Sequence, residues 1–89
     1  MTEDIRMKII DICLNVIEMR QDEIGLDDPF KNFSHIDSLK AMDLLTDIER
    51  GFKIKIPERE VRQFETINKV IGTVERYLPA AVAQAQPER

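Results

Sequence analysis

The chain is poor in several of the residue types on which chemistry is usually built. Its 89 residues include no tryptophan, one cysteine, one histidine, one tyrosine and three glycines. One cysteine and one histidine cannot assemble a typical zinc site, and Cys13 has no partner for an internal disulfide. Cys13 falls within an apolar periodic run, so it is expected to be buried and inert. Three scattered glycines do not make a Gly-rich phosphate cradle, and the lack of tryptophan argues against a large aromatic platform. Basic residues are the minority, 13 against 17 acidic, for a formal charge of -4. That balance disfavours nucleic acid, whose phosphates need clustered Lys and Arg, and suits a partner with a basic patch. No stretch is apolar for long enough to span a bilayer. The opening "MTEDIRMKII" carries charges throughout, so no signal peptide is expected and the compartment is read as cytoplasmic. The length suggests one domain, a monomer, whose small core uses most of the apolar residues.

What the sequence does have is helical periodicity. Thr2 to Arg20 reads as a first helix, capped by Thr2 or Asp4, with Ile5, Ile9, Ile12, Cys13, Val16 and Ile17 on one face. From Gln21 to Asp37 the period fails. Gly25, Asp27, Asp28, Pro29, Asn32 and Ser34 are loop formers, while Ile24, Leu26, Phe30, Phe33 and Ile36 are expected to pin the loop in place. Ser38 to Arg50 reads as a second helix, with Gly51 placed to stop it. "GFKIKIP" alternates like a strand, but a lone strand would leave its hydrogen bonds unmade. The segment is therefore read as an extended connector anchored by Phe52, Ile54 and Ile56. Pro57 opens a short helical turn with Val61 and Phe64 inward. Thr66 caps a last helix running to about Tyr77, with Ile67, Val70, Ile71, Val74 and Leu78 as its stripe. The fold class is all-α: a small irregular antiparallel bundle of three main helices and one short helix, with a long ordered first loop. The segment from Pro79 to Arg89 lacks a usable pattern and is read as a flexible tail.

A helical wheel of the second helix sets Ala41, Leu44, Leu45, Ile48 and Phe52 on one arc, with Met42 at its edge. Lys40, Asp43, Thr46, Asp47 and Arg50 lie opposite, and Leu39 falls among them. Taken singly, these residues are ordinary. Asp37 or Ser38 can be a helix cap, and one exposed leucine needs no explanation. Taken together they suggest more. A serine hydroxyl at a helix start can carry a phosphodiester, which the free N–H groups and the positive end of the dipole favour. Asp37 can orient such a site or help hold a metal in a modifying enzyme. Leu39 then supplies an apolar contact beside the modification, and Asp43, Asp47 and Glu49 supply acidic contacts along the helix.

Asp37-Ser38-Leu39, the helix after it, "GFKIKIP" and "EREVRQFETINKVIGTVERYL" together resemble the phosphopantetheine-binding acyl carrier proteins. The tripeptide matches the family's D-S-L motif, and the ordered set covers nearly all of Thr2 to Leu78. The resemblance implies a carrier domain over residues 1–78 and a tail over 79–89. It implies that a phosphopantetheinyl transferase attaches 4'-phosphopantetheine to Ser38, making the chain a phosphoprotein. It also implies that the arm's thiol holds acyl groups as thioesters, and that Ser38 is an attachment point and not a catalytic nucleophile. No base or triad is visible beside Ser38, and His35 is read as a loop residue. The partners implied are acyl-loading and acyl-processing enzymes with basic docking patches, of fatty-acid, polyketide or related lipid biosynthesis. Leu39, Met42, Asp43, Asp47 and Glu49 are the docking candidates. Met42, Leu44, Ile56, Val61 and Phe64 match the positions that shelter an acyl chain, and the bulk of Phe64 is expected to limit the depth of that pocket.

Three positions depart from the family's pattern. Ile36 stands where glycine commonly precedes the motif, and Lys40 and Arg50 stand where fatty-acid carriers are often acidic. These departures point to a specialised carrier with its own partner enzymes. Two other functions are compatible with the same residues: an aminoacyl or peptidyl carrier, and a helical interaction domain in which Ser38 is only a cap.

Overall fold

In the computed structural model, residues 3–85 are described, with side chains described for residues 3–78. Among them the chain forms α1 (Glu3–Ile17), α2 (Ser38–Phe52) and α3 (Ile67–Ala85), with short 3-10 segments at Phe30–Asn32 and Glu58–Gln63 and no strand. Helix α1 packs against α2 and α3, and the second 3-10 segment contacts both α2 and α3.

The core follows the apolar stripes. Ile9, Ile10, Cys13, Val16 and Ile17 of α1 meet Leu44, Leu45 and Ile48 of α2 and Ile67, Val70, Ile71, Val74 and Leu78 of α3 in one cluster. Each such aliphatic side chain contributes about 1.5–3 kcal/mol on leaving water. Ile10 joins the core although the expected α1 face omits it, and Ile12 is only half-buried. Cys13 is fully buried, and burial pushes its thiol pKa up to about 12, so its reactive thiolate is suppressed.

Helix boundaries differ from the sequence reading at the C-terminal ends. Helix α1 stops at Ile17 and not at Arg20, because Glu18 turns left-handed with φ 58°. The Met19 amide then reaches the Leu14 carbonyl at 3.1 Å and the Glu18 amide the Asn15 carbonyl at 3.3 Å, which is a Schellman closure. Helix α2 continues past Gly51 to Phe52, and its stop is Lys53 in the left-handed region. Gly51 serves packing instead: a Cβ there would lie 3.1 Å from Ile12 Cδ1. The Lys8 ammonium donates to the Gly51 carbonyl at 2.9 Å and sits 4.9 Å from the Phe52 ring centre. Helix α3 runs beyond Tyr77 to Ala85. Its last turns are rich in alanine, the residue that loses least on entering a helix. The proposed Thr2 cap and residues 86–89 of the expected tail lie outside the described residues.

The loop between α1 and α2 is tied down along its length, as its apolar residues imply. Ile24 and Phe30 are buried, and Leu26, Phe33 and Ile36 pack against the core. The Phe30 amide donates to the Glu65 carbonyl at 2.8 Å, and the Asn68 amide to the Leu26 carbonyl at 3.0 Å. The Asn68 side chain adds a bond to Asp27 at 2.7 Å. His35 Nε2 donates to the Ile17 carbonyl at 2.9 Å, so His35 fastens the loop to the end of α1.

Residues 54–57 form neither helix nor strand, with Ile54 and Ile56 buried; Phe52, read as the first anchor of the connector, is instead the half-buried last residue of α2. The turn that follows Pro57 is 3-10 and not α-helical, and Val61 within it is only half-buried. Phe64, just past its end, is buried. The segment is fixed to α3 through Glu60, which accepts from Arg76 Nη2 at 2.6 Å and from the Tyr77 hydroxyl at 2.5 Å.

Candidate functional site

The mouth of α2 separates two roles that the sequence left overlapping. Asp37 is the cap: its backbone is extended, and Oδ1 accepts from the Lys40 amide at 3.2 Å. Its carbonyl takes the Ala41 amide at 3.1 Å. Ser38 is therefore the first helical residue and not the cap. It is exposed, and among the described residues its hydroxyl makes no hydrogen bond. Among the described residues the amides of Ser38 and Leu39 are likewise without a partner. An anionic ester on this hydroxyl would sit at the positive end of the helix with donors beside it.

Leu39 is 74% exposed, so the wheel reading of a leucine pointing away from the core holds. Lys40 leans towards α1 and pairs with Glu18 at 3.3 Å. Asp43 is exposed and Asp47 half-exposed, one and two turns beyond Leu39 on the same ridge. Glu49 is different. Its Oε2 accepts from the Ile56 amide at 2.8 Å, so its carboxylate braces the connector after α2. The sequence reading grouped Glu49 with Asp43 and Asp47 as an acidic contact because helical spacing carries no information on a bond seven residues away.

Beside Ser38 lies a cleft of about 600 Å³, lined mainly by apolar groups of Phe30, Ile36, Ala41, Val61 and Phe64. Asp37, Ser38, Lys31, Glu65 and Thr66 complete its rim. Of the five residues matched to an acyl shelter, Val61 and Phe64 line this cleft. Met42 borders a smaller cleft between α2 and the second 3-10 segment. Leu44 and Ile56 are buried in the core. The structure adds Phe30, Ile36 and Ala41, which sequence reasoning assigned to loop anchoring and helix packing. The signal available for them was position: two precede Ser38 in an ordered loop, and Ala41 lies one turn after it.

Comparison with known proteins matches residues 8–74 to a family model described as a phosphopantetheine attachment site. The acyl carrier protein of Borrelia garinii subsp. bavariensis is 32% identical over 74 residues, covering 83% of this chain and 92% of the relative. That of Exiguobacterium sibiricum is 30% identical over 73 residues, covering 82% and 92%. That of Amoebophilus asiaticus is 29% identical over 75 residues, covering 84% and 94%. The prosthetic group of this family is covalently attached 4'-phosphopantetheine. On the match across the whole span from α1 to the middle of α3, the chain belongs to the phosphopantetheine-binding family of acyl carrier proteins.

Proposed function

We propose that Ser38 is the attachment point of 4'-phosphopantetheine and that the chain carries acyl intermediates to partner enzymes of fatty-acid, polyketide or related lipid assembly. The observation that carries this reading is the hydroxyl left free at the mouth of α2 by the Asp37 cap. The Ser38 oxygen forms a new bond to the β-phosphorus of coenzyme A, the pyrophosphate P–O bond breaks, and adenosine 3',5'-bisphosphate leaves. The hydroxyl proton passes to a base of the transferase, since among the described residues none is hydrogen-bonded to the Ser38 hydroxyl. When bound, the group supplies a terminal thiol on which an acyl group is held as a thioester.

The chain's own residues position and shelter. The Ser38 and Leu39 amides and the helix dipole favour the phosphodiester. The cleft floored by Phe30, Ile36, Val61 and Phe64 offers an apolar surface next to the attachment point. Leu39, Met42, Asp43 and Asp47 form the docking side of α2, where a basic patch on a partner enzyme would meet the acids. In this role the chain is a carrier, and the reactions on the cargo belong to its partners.

Intact mass after incubation with coenzyme A and a broad-specificity transferase tests the reading. One added phosphopantetheinyl unit is expected, absent in Ser38→Ala; an unchanged mass in the native chain, or an added unit that persists in Ser38→Ala, overturns it. Parallel loading with fatty and amino acids distinguishes an acyl from an aminoacyl cargo. In the acyl-loaded chain Phe64→Ala is expected to protect longer thioesters from hydrolysis, because Phe64 closes the cleft floor.

A further inference from the structure

The charge of the chain is unevenly spread. Between positions 50 and 62, five basic residues and two acidic ones give +3; elsewhere eight basic and fifteen acidic residues give -7. The five cations are Arg50, Lys53, Lys55, Arg59 and Arg62, and all are exposed. Among the described residues none of their side chains makes a hydrogen bond or an ion pair. Of the acids nearby, Glu60 is held by Arg76 and Tyr77 and Glu49 by the Ile56 amide, while Glu58 is exposed and pairs with none of the five cations.

These cations lie along α2. Arg59 and Arg62 border a cleft of about 380 Å³ shared with Met42, Val61 and one acid, Glu58. Arg50, Lys53 and Lys55 border another of about 390 Å³ shared with Thr46 and Glu49. Met42, Thr46 and Arg50 are four residues apart in sequence, so they form one ridge of the helix. Leu39, Asp43 and Asp47 form the neighbouring ridge at the same spacing. The outer face of α2 is therefore banded, with an acidic ridge headed by exposed Leu39 and, beside it, a ridge edged by unpaired cations.

We propose that this banded face is a two-row dock for a protein whose surface carries a basic row against Asp43 and Asp47 and an acidic row against the cations of residues 50–62. The proposal rests on the carrier reading for its biological purpose and names the surface chemistry of the partners. A bilayer of anionic lipid or a nucleic acid presents one sign of charge, and the acidic ridge would repel it. A protein surface can alternate in sign across the ~10 Å width of a helix, about one Debye length at 0.1 M salt. Complementary rows fix the orientation of docking and favour partners that carry both rows over those that offer basic groups alone.

Amide chemical shifts of the isotope-labelled full chain in low salt test this, with hexaglutamate, hexalysine and phosphatidylglycerol-containing vesicles as probes. Hexaglutamate is expected to move amides between 50 and 62 and at Met42; hexalysine is expected to move a separate set between 39 and 47. Arg59→Gln with Arg62→Gln should reduce the hexaglutamate shifts at that end several-fold and leave the hexalysine shifts in place. Lys53→Gln with Lys55→Gln provides an independent variant at the other end. Hexaglutamate that leaves 50–62 unmoved, two peptides that move the same residues, or vesicles that bind more strongly than hexaglutamate would each overturn the proposal. Attachment of the arm to Ser38, read by mass on the same sample, is a separate readout. A chain that takes the arm but fails the peptide titrations keeps the carrier reading and loses the two-row dock.

Discussion

Two of the described helix mouths carry a hydroxyl residue, and they use it in opposite ways. At α3, Thr66 is the cap, and its Oγ1 accepts from the Lys69 amide at 3.0 Å. At α2, Asp37 stands one residue before the serine and takes the equivalent bond from Lys40. The Ser38 hydroxyl is thereby released to solvent at the head of a helix that also exposes Leu39. Thr66 belongs to the architecture, whereas Ser38 is dispensable to it. A carboxylate one position upstream takes over the capping bond, and under the proposed function that is what leaves the serine open to modification.

The contrast can be broken most forcefully at Ser38. Ser38→Ala should abolish attachment of the arm while changing stability by no more than about 0.5 kcal/mol, as for an exposed residue without partners. Intact mass and urea unfolding measure the two halves of that expectation. Thr66→Ala and Asp37→Ala should each cost about 1 kcal/mol, the usual loss on removing a helix cap. Equal destabilisation by Ser38→Ala in the same unfolding series would erase the distinction between the two mouths. A smaller effect concerns the region that joins them. The hydrogen bond to Glu60, with desolvation and the negative charge of Glu60, raises the Tyr77 pKa above its usual 10.0. The folded chain then keeps the phenol proton to higher pH than the unfolded chain does. That increment of stability is whole below pH 10 and is lost as pH rises through the folded value. Unfolding curves between pH 8 and 11 should fall more steeply in the native chain than in Tyr77→Phe.

The stripes of α1, α2 and α3 were legible because burial on one side of a helix imposes a period, and the D-S-L motif was legible because its neighbours followed in order. Terminations were not. Gly51 reads as a helix stop by propensity, yet it lies inside α2 with Ile12 Cδ1 3.1 Å from where its Cβ would stand, a tertiary approach that local sequence does not show. Glu18 and Lys53 end their helices in the left-handed region although neither is glycine, so no local residue announces either turn. At the site, Val61 and Phe64 were recognisable as cleft residues. Phe30 and Ile36 were not, because the loop that brings them beside Ser38 is held by backbone bonds from Phe30 to Glu65 and from Asn68 to Leu26, partners that lie tens of residues apart in the chain.

Glu49 shows what such a distant bond can do. Its carbonyl receives the amides of Lys53 and Ile54, and its carboxylate receives that of Ile56. Three backbone amides held by a single residue tie the first stretch of the connector to the helix it has just left. The turn that bears Arg59 and Arg62 thus starts two residues beyond a tethered point, and its origin relative to the end of α2 is set by one glutamate.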